Sequence, residues 1–500
     1  MDRHSARRAS SFRFTQLRPT EAPPLSDESV RLLAERLTSQ GSAIQRGEVP
    51  AGYTYLGQFV AHDLSFDATQ AGVATALTTE GMRQARSPSL DLDSLYGKGP
   101  QDPRSAPLYR AGGPFLATGR TDPDAHLGPL EDADLPRRVD LPRRDAAREP
   151  GYKAVIGDPR NDDNLAVAQT HLAFIRFHNR VVEHETDPDA PVGERLAVAR
   201  AMVTRHYQWV VWKDLLPRIC DPHVLDAVWR DGRTAIDPRA GPGTPGEMPL
   251  EFALGVFRVG HSMIRAEYDW NRFVSPSVGE LFVHSGRGGE LAGGTRLRSS
   301  MVADFRRLYD FRDAGRPARD SDVRILARRI DTRIAPELAW LPLGTFDATA
   351  APADDLERNL AFRNLMRARS SRLASGQEMA AFLSNRGLPV GPLSEQQLLS
   401  EPNRYPTHLE LGLGKPGLAH TPLWIHTLRE AELGGFRLAG VGAWLLAETF
   451  HRALAGSRIS ILDPPGWVPH LSGPGQPFKM PHLLLYAADG DAAGLAPPDS

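Results

Sequence analysis

The chain reads as a mainly α protein: a single large helical domain with long loops and very little β structure. Apolar residues recur at helical spacing in its strongest segments, as in Leu165, Ala168, Leu172, Ile175 and Val182. Period-two alternation is scarce along the whole chain, and what separates the helical segments is Pro/Gly-rich sequence rather than strands.

Taken in order, the first 25 residues are polar and punctuated by prolines. Ser26 can then cap a short helix with Val30, Leu33 and Leu37 on one face, so residues 1–50 are expected to form an arm lying on the body. The body is expected to span 51–485, with a flexible tail at 486–500. From Lys98 to about Pro150 the chain is dense in Pro, Gly, Asp and Arg without periodicity, a long irregular excursion. After the helix around Leu165 to Val182, "RLAVARAMVTRHYQWVVWKDLLPRIC" repeats the helical pattern until Pro217 ends it. The loop "DGRTAIDPRAGPGTPGEMP" leads to another helical stretch, "LEFALGVFRVGHSMIRAEY", and amphipathic segments follow at Leu356 to Leu373 and Ala439 to Ala455. "SGRGGELAGG", Ser285 to Gly294, lacks the Lys-Ser/Thr ending and the feeding strand of a phosphate cradle and reads as a flexible loop.

Composition excludes several functions. With 500 residues, 41% hydrophobic, 24% charged and a net charge of −2, there is no electrostatic basis for binding nucleic acid or an anionic membrane. Cys220 is the only cysteine, which rules out an intrachain disulfide and a cysteine metal cluster. No apolar run approaches the roughly 18 residues of a membrane span. The start, "MDRHSARRASSFRF", has no apolar stretch after Arg7 and Arg8, so the cytoplasm is the default expectation, with export by a non-classical route the alternative.

Four stretches carry side chains suited to chemistry. In "GQFVAHDLSFD", Gln58 and His62 lie four apart and share a helix face among Leu56, Phe59, Val60 and Leu64. Such a histidine is either a proton acceptor with few competitors or a core residue satisfied by a carbonyl. Asp63 points elsewhere. In "SPSLDLDSLYG", Ser87, Asp91, Asp93 and a carbonyl near Ser89 offer hard oxygens suited to calcium, or simply form a solvated turn. In "IGDPRNDDNLAVAQTHLAFIRFHNR", Arg160 precedes a helix start that Asn161, Asp162 or Asp163 could cap, and a fixed guanidinium there could stabilise negative charge. In "FRVGHSMIR", His261 follows a glycine that permits close approach, and a buried histidine can ligate a metal or haem iron; His171, His178 and His206 compete for that role.

In this order the four stretches resemble the animal-type haem peroxidases of the peroxidase-cyclooxygenase superfamily, the myeloperoxidase-like group, and the C-terminal segments "TPLWIHTLREAELGGFRLAGVGAWLLAETF" and "FKMPHLLLYA" resemble its bacterial members. The resemblance implies haem b as cofactor, with His261 as proximal iron ligand, Arg258 near a propionate, and Gln58, His62 and Arg160 as the distal catalytic residues. It implies Ca²⁺ at Asp63, Ser87, Ser89 (through its carbonyl), Asp91 and Asp93. It also aligns "NLMRARSSRLASGQ" with the segment that orients the proximal histidine, which places Gln377 in that role. Of the two carboxylates that esterify haem in myeloperoxidase-like members, one position is Ala61 and the other Asp163, leaving at most one ester; the sulfonium methionine is replaced by Asn164.

The implied activity is reduction of hydrogen peroxide, with oxidation of a small electron donor through a ferryl intermediate. Without the electron-withdrawing links, phenolic compounds, iodide or bromide are expected rather than chloride. Dioxygenases of the superfamily carry a tyrosine three residues before the proximal histidine; Arg258 stands there, preceded by Phe257, which favours the peroxidase reading over a fatty-acid dioxygenase, while intact Gln58, His62, Arg160 and His261 weigh against a non-catalytic haem-binding or adhesion-type protein.

Overall fold

The computed structural model describes residues 12–39, 46–69, 75–111, 113–137, 153–238, 243–244, 246–317, 322–342, 355–400, 408–473 and 476–498. The expected irregular excursion at Lys98 to Pro150 therefore lies partly outside the described residues, as do parts of the N-terminal arm and of the "DGRTAIDPRAGPGTPGEMP" loop.

The architecture is helical, and β structure among the described residues is confined to two two-stranded ladders and isolated bridges. Helix α1, Asp27–Thr38, starts where Ser26 accepts the Ser29 amide, and it buries Val30, Leu33 and Leu37. Its acidic first turn and Arg36 in the last complement the helix dipole.

Helix α2, Gly52–Leu64, has no side-chain cap; its start is pinned instead by the Gly52 amide donating to Leu308 O at 2.8 Å and the Ala51 amide to Ile325 O at 2.6 Å. Gly52 is required by packing, because a Cβ there would lie 2.2 Å from the Tyr309 ring, whose hydroxyl donates to Gly52 O. Helix α3, Leu165–Glu185, packs against α2 through Phe59 and Phe174, stacked 4.7 Å apart. Tyr207 of α4, Val192–Val210, meets both rings edge-on.

Two departures from helical expectation matter. Pro217 does not end the helix beginning at Val192: a π-turn at Val211–Leu215 intervenes and a further turn, Leu216–Ile219, takes Pro217 in its first positions, where its missing N–H costs little. The stretch from Leu250 onward is likewise not one helix but a π-turn at Glu251–Gly255, a 3₁₀ turn at Val256–Val259 and a short α-turn at Gly260–Met263. Irregular turns of this kind re-aim side chains, and this one carries Arg258 and His261.

Helices α5, Leu360–Ser370, α6, Gly376–Ser384, α7, Leu423–Leu433, α8, Gly440–Gly456, and α9, Met480–Ala487, complete one contiguous core. Residues 492–495, expected within a flexible tail, form a packed 3₁₀ turn with Leu495 3% exposed. "SGRGGELAGG" is likewise partly structured, as short turns at Gly286–Gly289 and Glu290–Gly293. Among the described residues no helix is long and apolar enough to cross a membrane.

Candidate functional site

One cavity of about 440 Å³ lies between α2, the turn after Asp158, the irregular Leu250–Met263 stretch and α5. Its lining includes Gln58, His62, Arg160, Asp163, Arg258 and His261, so six residues singled out from separate stretches meet around one space.

On one side, His62 is nearly buried, and burial together with the Arg160 guanidinium lowers its pKa to about 3. It is therefore a neutral imidazole at ordinary pH. Its Nδ1 lies 2.8 Å from Asn161 Oδ1, while Asn161 Nδ2 lies 2.8 Å from His171 Nδ1. The amide donates to His171, so its oxygen must accept from His62; this fixes the proton on Nδ1 and leaves the Nε2 lone pair bare. Asn161 was legible only as a possible helix cap.

Arg160 is locked by Asp158, which caps the 3₁₀ turn Pro159–Asp162 and accepts from Arg160 Nε at 3.1 Å and Nη2 at 2.7 Å. Burial alone would raise the Asp158 carboxyl, but the Arg160 and Arg86 guanidinia overcome it and hold the group well below the usual carboxylate range. Arg160 Nη2 also donates to His62 O at 2.9 Å, and its guanidinium lies 4.2 Å from the centre of the Phe66 ring. Asn164 both caps α3, accepting the Val167 amide, and donates to Gln58 Oε1 at 3.0 Å, which turns the Gln58 amide so that Nε2 is free to donate.

Asp163 lines the cavity, with Arg287 Nη1 3.1 Å from its Oδ1. Ala61, also on the wall, offers no carboxylate.

On the other side, burial, aided by Arg258, lowers the pKa of His261 to about 3. A Cβ on Gly260 would meet open space, as expected of backbone beside a cavity. The Nδ1 of His261 lies 2.7 Å from the side-chain amide of Asn364 on α5, not from Gln377. The assignment of Gln377 to this role is corrected: its Nε2 donates to Leu418 O and Thr421 Oγ1, and its Oε1 accepts the Thr421 amide, so it fastens α6 to the segment before α7. Asn364 opens the same stretch, "NLMRARSSRLASGQ", that Gln377 closes. Arg258 lines the cavity beside Arg363 and Arg367, and burial plus the neighbouring Arg367 and Arg160 charges lower its pKa to about 10.

The loop expected to bind calcium lies below α2. Asp63 is fully buried and accepts from the amides of Leu92 and Ser94, each at 3.1 Å, and from Ser94 Oγ at 3.0 Å. Burial and the neighbouring Asp93 charge raise its pKa to about 7. Arg458 spans Asp91, at 3.3 Å, and Asp93, at 2.9 Å. Among the described residues no three acidic, histidine or cysteine side chains are gathered at coordinating separation. The Ser87 and Ser89 hydroxyls are buried without a hydrogen-bond partner.

A family model described as animal haem peroxidase matches residues 77–285, which takes in Arg160, Asp163 and His261. No curated protein matches the chain in sequence. Among solved structures, peroxidase A from Dictyostelium discoideum is 16% identical, with a TM-score of 0.61, and the alignment covers 90% of this chain and 88% of that one. A fatty acid alpha-dioxygenase from Oryza sativa is 14% identical at TM-score 0.61, covering 97% and 81%. The Arabidopsis thaliana fatty acid alpha-dioxygenase is 15% identical at TM-score 0.54, covering 95% and 74%. The family match omits α2, which the fold restores to the site across the cavity from His261. Residues 77–285 thus match the animal haem peroxidase family model, and the chain shares its helical fold with these solved structures.

Proposed function

We propose that the chain is a haem peroxidase that reduces hydrogen peroxide and oxidises small donors, phenolic compounds or iodide and bromide. The observation that carries this reading is a cavity walled by two neutral histidines, each with Nδ1 against an asparagine amide and Nε2 without a partner among the described residues. Apolar walls from Phe252, Phe257 and Leu360, with arginines at one side, suit a flat apolar macrocycle carrying carboxylates. His261 would hold the iron through Nε2, and Arg258 would meet a propionate. For His261 to ligate, its Nδ1 must carry the proton, which needs the Asn364 oxygen toward the ring; a half-turn of that amide provides it. Haem, when bound, supplies the redox iron that takes oxidising equivalents from peroxide and passes them to donors.

The protein's own contribution is acid-base and electrostatic. His62 Nε2 accepts a proton from peroxide and returns it to the departing oxygen. Arg160 Nη1, which has no acceptor among the described residues, and Gln58 Nε2 would meet charge developing in the cavity. Asp63, Ser87, Asp91, Asp93 and the Ser89 carbonyl would hold a calcium ion under the distal helix. The orphaned serine hydroxyls and Arg458, a half-exposed cation bridging two of the carboxylates, support that placement.

A fatty-acid dioxygenase is the second reading, prompted by the two plant structures. Arg258 and Phe257, where those enzymes of the superfamily would need a tyrosine nearby, weigh against it. The deciding experiment supplies the haem-loaded chain with hydrogen peroxide and either iodide or a phenol, and in parallel with palmitate under oxygen. Donor oxidation without oxygenated lipid supports the proposal; oxygenated palmitate without donor turnover overturns it.

A further inference from the structure

A second cavity, of about 420 Å³, shares no lining residue with the first and lies against α3. Its walls combine apolar side chains, Leu172, Leu484 and Leu495 among them, with a floor made by Arg176 of α3. The polar groups around it are almost all spent within the protein. Gln169 donates to Ala133 O and accepts the Ala303 amide, and Asn179 pairs in both directions with the Leu116 backbone. Each carboxylate on the wall already has an arginine: Asp132 has Arg110 at 3.3 Å, Glu183 has Arg180 at 2.5 Å, and Glu131 has Arg120 at 3.9 Å.

Arg176 is the exception. Among the described residues its guanidinium makes one long hydrogen bond, 3.4 Å from Nη2 to Gly494 O, and forms no ion pair. Burial lowers its pKa; the Asp132 carboxylate opposes that shift without overcoming it, and the Arg180 charge adds to it. A guanidinium so placed offers a planar fork of donors matched to a carboxylate, and a charge-assisted pair there would be stronger than the single carbonyl contact. Leu172, Leu484 and Leu495 offer apolar contact that a small, fully hydrated anion would leave unused.

We propose that this cavity is a binding site for an amphipathic monocarboxylate, its head on Arg176 and its hydrocarbon against Leu172, Leu484 and Leu495. The site is separate from the proposed haem chemistry and does not depend on it. Gly494, Leu495, Ala496 and Pro498 form part of the cavity wall beside Arg176.

The test is calorimetric titration of the full haem-loaded chain with octanoate, and with octanol as the uncharged control, while the Soret band reports any entry into the first cavity. The expected result is one equivalent of octanoate bound, no comparable octanol binding, an unmoved Soret band, and at least tenfold weaker octanoate binding by Arg176→Gln. Equal binding by Arg176→Gln, equal binding of octanol, or no binding of octanoate at millimolar concentration would each overturn the proposal. Should Arg176→Gln not fold, Ala496→Trp carries the same test, because Ala496 is a partly exposed lining residue whose enlargement fills the cavity mouth. Its failure to weaken octanoate would count against the site equally.

Discussion

Asn161 stands between two buried histidines, its oxygen 2.8 Å from His62 Nδ1 and its nitrogen 2.8 Å from His171 Nδ1. The one amide thereby decides which nitrogen of His62 is basic toward the cavity. Asn161→Leu should release the tautomer and slow the reaction with peroxide by about 10–100-fold while leaving haem bound, since orienting partners act at about that level. A stopped-flow rate equal to wild type would show that His62 is oriented by other means.

The other histidine gives a paired test. Asn364→Leu should alter the spectrum of the ferric iron and weaken haem retention, whereas Gln377→Leu should leave the spectrum unchanged and cost about 1–3 kcal/mol of stability, the penalty for stranding its partners at Leu418 and Thr421. The opposite pattern would reinstate Gln377 as the proximal partner.

The pH dependence follows from His62. Its pKa of about 3 in the folded state means that the proton-accepting form persists across the neutral range and is lost only as pH falls toward 3. The peroxide rate should therefore be flat from pH 8 to about pH 5, and a midpoint near the ordinary histidine value of about 6.5 would contradict that. Stability behaves similarly. His62, His171 and His261 all have lowered pKa values in the fold, so the unfolded chain binds more protons below the ordinary histidine pKa. Their contribution to stability is present above about pH 6.5 and is lost progressively as pH falls below it.

Calcium is tested by chelation. Removing it should lower the thermal midpoint and perturb the Soret band through Asp63, whose neighbour is His62. Arg458→Ala should bind calcium no more weakly than wild type, and Asp63→Asn should lose it. A chain free of calcium at full haem loading, with a midpoint insensitive to chelator, would leave the carboxylates of that loop to Arg458 and Arg200.

Gly52→Ala would place a methyl group against the Tyr309 ring and should cost about 1–3 kcal/mol, read as a fall in thermal midpoint.

Much of this site was legible because its residues sit in short local patterns. Gln58 and His62 are one helical turn apart, and Arg160 and Asp163 lie in the turn between the capping residues Asp158 and Asn164. What was not legible depends on distant partners or on irregular backbone. Periodicity cannot distinguish the π, 3₁₀ and α turns that present Arg258 and His261, because apolar residues face the core in all three. Asn161 looked like any capping residue, and Arg458 reaches the Asp91–Asp93 loop from 365 residues away along the chain. Gln377 was misplaced because an amide side chain at either end of its motif satisfies the same chemistry, and only packing shows that α5 rather than α6 faces His261.

The central claim is tested most directly by mixing the haem-loaded chain with hydrogen peroxide in a stopped-flow spectrophotometer and comparing it with His62→Ala. The account predicts a prompt Soret change in the wild type, reversed by iodide or a phenol, and a change slowed by about 10²–10⁴-fold in the variant, with haem equally retained in both. A wild-type Soret band untouched by peroxide, or a variant that reacts as fast as the wild type, would contradict it.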